Sequence, residues 1–161
     1  MNSHFTLIIL LFLRNTFINQ INIIYIKMAT LIALLSSGKG TWGHVNSLIQ
    51  VEKWDKIILF CNDFAYKEFN VKDTQTLKLQ IDEKKPQEYI EKIASILRKE
   101  VQDLEVALNL VSGTGYEHMI VLGGIIRAGL GFRLVACEHK ELIEYKLYET
   151  PELLGEEFLD D

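Results

Sequence analysis

The feature that most limits what this chain can fold into is a six-residue run, Thr30 to Leu35 (TLIALL). It is apolar on both faces and leads directly into Ser36-Ser37-Gly38-Lys39-Gly40-Thr41-Trp42-Gly43. A strand with one wet face alternates apolar and polar residues, whereas a strand covered by helices on both sides has no polar face. A two-sided apolar run closed by a glycine-rich turn therefore predicts a central strand of a parallel sheet, with a helix opening behind the turn. Val45, Leu48 and Ile49 follow at i, i+3, i+4 spacing and supply the inner stripe of that helix.

The same alternation continues. Ile57 to Cys61 (IILFC) reads as a second buried strand, and Thr76 to Ile81 (TLKLQI) alternates like a half-exposed one. Pro86 sits where a first helical turn tolerates it, and Ile90, Ile93, Leu97 and Val101 form the inner stripe of a long charged helix. Val106 to Val111 (VALNLV) is a further strand, running into Ser112-Gly113-Thr114-Gly115-Tyr116. The helix behind it is expected to turn Met119, Leu122 and Ile126 inward and to end at Gly129 and Gly131. Phe132 to Cys137 is the next strand, and Leu142 to Tyr148 an edge strand. There is no low-complexity linker and no internal repeat. The fold class is therefore α/β, a three-layer Rossmann-like sandwich with a mostly parallel sheet of about five or six strands and three helices.

Composition narrows the function classes. A chain of 161 residues, 48% hydrophobic and 24% charged, is neither disordered nor a disulfide scaffold. Its net charge of −5 excludes long-range attraction to nucleic acid, so no long nucleic acid is expected as a partner and an anionic ligand must be held locally. Residues 1–27 stand apart, with no acidic residue, no Gly and no Pro. Arg14, Asn15, Asn19, Gln20 and Asn22 break the run as a spanning helix, and no basic residue precedes it as in a signal peptide. The expectation is that translation begins at Met28 and that the preceding segment is upstream sequence read in frame. The alternative is a hydrophobic leader, which alone would bring in a membrane. Residues 28–150 then form the domain, and 151–161 an acidic tail. Cys61 and Cys137 each close an apolar run, which suits buried thiols in a reducing, cytoplasmic setting.

Two glycine loops at strand ends carry the candidate chemistry. Gly lets the backbone approach an oxyanion closely, and free amides at a helix start favour negative charge. Ser36, Ser37 and Thr41 add hydroxyls to the first loop, and Lys39 adds a fixed positive charge. It is not a Walker A loop, because Ala33 and Gly40 occupy positions where that motif needs Gly and Ser or Thr. Gly38, Gly40 and Gly43 do match G-x-G-x-x-G, with Asp63 placed downstream as a ribose-binding acid would be. The second loop, with Ser112, Gly113, Thr114 and Gly115, is expected at the same sheet edge, with Asn109 in the strand before it and Glu117, His118 and Met119 at the helix start. Together the loops would line a crevice suited to phosphate and ribose. His118 is a candidate acid, base or phosphate partner, or else a surface residue. Trp42 and Tyr116 would stack on a base, cover the sheet edge or meet a second subunit. Cys137 and His139 give no complete metal set, so no metal and no cofactor is expected.

SSGKGTWGHV, together with NLVSGTGYEHM and the following GLGFRLV, resembles the two ligand motifs of the CRISPR-associated Rossmann-fold (CARF) domains. The likeness covers most of Met28 to Tyr148. It implies a homodimer whose paired loops form a pocket across a two-fold axis and bind cyclic oligoadenylate messengers of CRISPR antiviral defence. By this resemblance Ser36, Ser37, Gly38, Lys39, Gly40 and Thr41 contact ligand from the first motif, Ser112, Gly113, Thr114 and Gly115 from the second, and Asn62 from the end of the second strand. Where the family often has Lys, this chain has Gly115 and Tyr116, with His118 nearby. CARF modules normally precede an effector, for which no length remains here. A stand-alone member would be a sensor, a sponge or a metal-independent ring nuclease, with Ser37, Lys39 and His118 as the candidate catalytic residues. Two other readings stay open: an NAD(P)-type dinucleotide-binding protein using Gly38, Gly40, Gly43 and Asp63, and a non-catalytic interaction protein whose glycines only shape turns.

Overall fold

The structure, a computed structural model, describes residues 29–71, 75–82 and 84–147. The leader 1–27 and the tail 151–161 lie outside the described residues. In chain order the elements are β1 (Thr30–Leu35), α1 (Lys39–Val51), β2 (Lys56–Cys61), α2 (Asp63–Glu68), β3 (Thr76–Gln80), α3 (Pro86–Glu100), β4 (Glu105–Asn109), α4 (Gly115–Ala128), β5 (Gly131–Glu138) and β6 (Glu141–Tyr145). The six strands form one sheet in the order β3-β2-β1-β4-β5-β6. All pairs are parallel except β5 with β6, a hairpin that closes one edge.

The two faces of β1 explain the architecture. Leu31, Ala33 and Leu35 point into a core shared with Val45 and Leu48 of α1 and Ala65 of α2. Ile32 and Leu34 point the other way, into a core with Ile93 and Leu97 of α3 and Ile120, Val121 and Ile125 of α4. Period-2 alternation on a strand with no polar face thus builds three layers. Fully burying Ile93 or Leu97 stabilises the fold by about 1.5–3 kcal/mol each.

Several expectations need correction. Met119 and Ile126 face outward, 59% and 66% exposed, while Ile120, Val121, Gly124 and Ile125 are buried. The middle of the helix, MIVLGGII, is apolar all round, so periodicity could not choose its face. Contact with α3 chooses it, because a Cβ on Gly124 would lie 2.3 Å from Ile93 Cγ2. The helix ends at Gly129, a left-handed C-cap with φ 82°, whereas Gly131 begins β5. β4 stops at Asn109 rather than Val111, since β1 pairs with it only as far as Ala33 with Asn109. The short helix α2 was not expected. Asn62 caps it, accepting a hydrogen bond from the Ala65 amide at 2.9 Å, so Asp63 opens a helix instead of closing a strand. Cys61 is buried and Cys137 half-buried, both as free thiols. No helix among the described residues is long and apolar enough to cross a membrane.

Candidate functional site

The chain runs outward from β1 through β2 to β3, then returns to place β4 on the other side of β1. The loops leaving β1 and β4 therefore diverge at the carboxyl edge of the sheet, where open α/β folds leave a crevice. Here the loops are tied together. The Ser36 amide donates to Ser112 Oγ at 3.2 Å, and Thr41 Oγ1 lies 2.8 Å from both the Gly38 carbonyl and Ser112 Oγ. A carbonyl can only accept, so the Thr41 hydroxyl donates to Gly38 and the Ser112 hydroxyl donates to Thr41. Ser112 is only 1% exposed and acts as the pin between the two loops.

A second set of bonds extends the tie. Asn62 Nδ2 donates to Ser36 Oγ at 3.0 Å, which leaves the Ser36 proton for Glu117 Oε1, 3.4 Å away. Glu117, 2% exposed, accepts the Thr114 amide on its other oxygen at 2.7 Å, and Thr114 Oγ1 accepts the Glu117 amide at 3.2 Å. This reciprocal pair is a capping box at the start of α4. The T-x-x-E spacing was present in the sequence as its signal, yet nothing there showed that the carboxyl would also reach Ser36. Gly113 is required between these groups: its φ is 111°, and a Cβ would meet His118 Nε2 at 2.9 Å and Glu117 Oε2 at 3.2 Å. Gly115 has open space at its Cβ position.

Beside the pinned loops lies a cleft of about 610 Å³ over the ends of β1, β2 and β3. Ser36, Ser37, Asn62 and Thr114 reach it from the expected ligand set and Asp63 from the dinucleotide reading, and Glu117 joins them from the start of α4. Phe64, Gln80, Asp82, Lys84 and Tyr89 also line it and were not anticipated, because they come from α2, the end of β3, the connection behind it and α3, whose placement only the packing fixes. Asp63 is held there by a hydrogen bond from Gln80 Nε2. Among the described residues of the lining, three acidic groups, Asp63, Asp82 and Glu117, thus meet one cation, Lys84. Lys39 stands outside it, its Nζ 5.3 Å from the Phe64 ring centre and 5.8 Å from that of Trp42. The Lys39 and Thr41 amides are used within the loop, donating to Ser37 and Gly38 carbonyls at 3.0 Å each.

Of the other candidates, His118 folds back onto the second loop, with Nε2 3.0 Å from the Ser112 carbonyl. The carbonyl fixes Nε2 as the donor, so the neutral ring keeps Nδ1 as its acceptor. Trp42 covers the sheet edge: Nε1 donates to the Ser36 carbonyl at 2.7 Å, and the ring packs edge-on against Phe69. Tyr116 is 57% exposed. Gly40 and Gly43 lie within α1, and a Cβ on either would meet nothing. In a dinucleotide fingerprint the third glycine serves close helix–strand packing. Gly43 has no such role here. The buried Cys61 thiol, beneath this edge, is pushed up to about 12 by desolvation, with Lys78 opposing and Glu117 reinforcing. No group of three or more His, Cys, Asp or Glu residues among the described residues could hold a metal ion. The chain matches no protein-family model and no curated protein.

Proposed function

We propose that the pinned loops and their cleft form a nucleotide site, and that its ligand is of the cyclic oligoadenylate class bound by CARF domains. The observation that carries this reading is the Ser36–Ser112–Thr41 tie, which joins the loops of β1 and β4 into one preorganised surface at the strand-order reversal. The lining supports one orientation of such a ligand. Carboxyl groups of Asp63 and Asp82 repel phosphate but accept hydrogen bonds from ribose hydroxyls and an exocyclic amine. The ribose and base therefore belong in the cleft, and the phosphates on the Gly38–Lys39 side, where the ammonium and the start of α1 favour negative charge.

The CARF resemblance adds the homodimer. Tyr116, Met119 and Ile126 stand exposed on the outward face of α4, the helix that opens from the second loop. A second copy seated on that face would bring two loop pairs together. Ligand cleavage, if the protein performs it, needs an in-line 2′-hydroxyl attack and donors on the phosphate. Lys39 lies on the phosphate side for that purpose, Ser37 lines the cleft next to it, and His118 Nδ1 is the available base.

Calorimetry with cyclic tetra- and hexa-adenylate, NAD and ATP tests the proposal. Saturable heat with a cyclic oligoadenylate is expected, and heat with NAD alone would overturn it. Lys39→Ala should weaken binding and flatten its salt dependence, because one cation near phosphate is lost.

A further inference from the structure

A second cleft, also of about 610 Å³, opens at the same sheet edge but on the α1 side, between α1 and the β5–β6 hairpin. It shares no lining residue with the first. Its polar wall differs from the acidic one: His44 and Ser47 come from α1, and His139 and Lys140 from the hairpin tip. Glu138 is the one carboxylate in the lining, and the Tyr145 hydroxyl donates to it at 2.9 Å. That bond holds the Tyr145 proton, raising its pKa, and occupies one of the carboxylate oxygens.

The hairpin tip is strained. His139 and Lys140 have φ of 50° and 68°, so both sit in the left-handed region. A two-residue turn of this kind is met most cheaply by Asn-Gly, and non-glycine residues there cost free energy. Strain of this sort persists where the side chains held by it matter. Here the two strained residues are the two bases that the hairpin contributes to the cleft.

We propose that this cleft binds a phosphate-class oxyanion, held by His44, His139 and Lys140 with the Ser47 hydroxyl as a further donor. Two imidazoles, an ammonium and a hydroxyl line one concave surface, and each is a hydrogen-bond donor for an anionic oxygen. The site stands independently of the nucleotide reading, since the residues and the cleft differ. The phosphate could arrive free or on a nucleotide, and the two sources are separable.

The test is to follow the histidine ring signals of the full chain by NMR at about pH 6, where histidine side chains generally carry charge. Inorganic phosphate and adenosine monophosphate are titrated separately. His44 and His139 should move together and saturate with inorganic phosphate, while His118 stays in place. Movement with adenosine monophosphate as well would mark the nucleotide as a source. Movement with adenosine monophosphate but not phosphate would overturn the proposal, as would no saturable movement with either. Lys140→Gly separates binding from architecture. Glycine suits the left-handed turn, so the unfolding midpoint should rise while phosphate affinity falls roughly fivefold or more. A raised midpoint with unchanged affinity would show that Lys140 serves only the turn.

Discussion

At the scale of single residues, the site depends on groups whose spacing admits no extra atom. Gly113 is confined by His118, Glu117 and Leu34, and its φ of 111° is one that side chains rarely adopt. Gly113→Ala should cost about 1–3 kcal/mol of stability, read from urea unfolding. An unchanged midpoint would mean that the loop has another conformation at little expense. Cys61 gives a pH-dependent prediction. An ordinary thiol has a pKa of 9.0, and burial raises that of Cys61 to about 12. Between those values the unfolded chain has released a proton that the folded one keeps, so stability should fall as pH rises through that window. Below it the thiol contributes no slope. Thermal unfolding across the window should show the loss, and Cys61→Ala should flatten it. The sequence showed both cysteines at the ends of apolar runs, but only the packing separates buried Cys61 from half-buried Cys137.

At the scale of elements, legibility follows how strongly a segment's own pattern constrains it. TLIALL and IILFC could only be covered strands, and both were read to within one residue because a two-sided apolar run has few homes. α4 was readable as a helix but not in its orientation, since MIVLGGII offers an apolar residue in every direction. What fixes it is contact with α3, where Gly124 meets Ile93 and Gly123 meets Ile90. Gly124→Ala would push a methyl against Ile93 and should destabilise by about 1–3 kcal/mol, whereas Gly115→Ala, with open space at its Cβ position, should be tolerated. Comparable midpoints for the two variants would contradict this account of how α4 is seated. The candidate site was legible in the same partial way. Glycine, serine and threonine at two strand ends were visible, but the hydrogen bond pinning Thr41 to Ser112 joins residues 71 apart in sequence.

At the scale of the whole molecule, the sheet edge is electrically divided. An acidic cleft lies over β1 to β3 and one lined by histidine and lysine beside β5 and β6, with the pinned loops between them. Net charge alone conceals this arrangement, because a total of −5 does not say where at the sheet edge the charged groups sit. The exposed face of α4 carries the prediction about assembly: Met119→Glu with Ile126→Glu should convert the proposed dimer to a folded monomer in sedimentation and weaken the proposed nucleotide binding with it. A dimer that survives both charges would place the interface elsewhere. The most direct measurement is an amide-resolved NMR titration of the chain with cyclic tetra- and hexa-adenylate. The account predicts that saturable shifts concentrate at residues 36–41, 62–63 and 112–118, and that Ser112→Ala, which removes the pin, weakens them. Shifts confined to other segments, or none at saturating ligand, would contradict the claim that the two pinned loops are a nucleotide site.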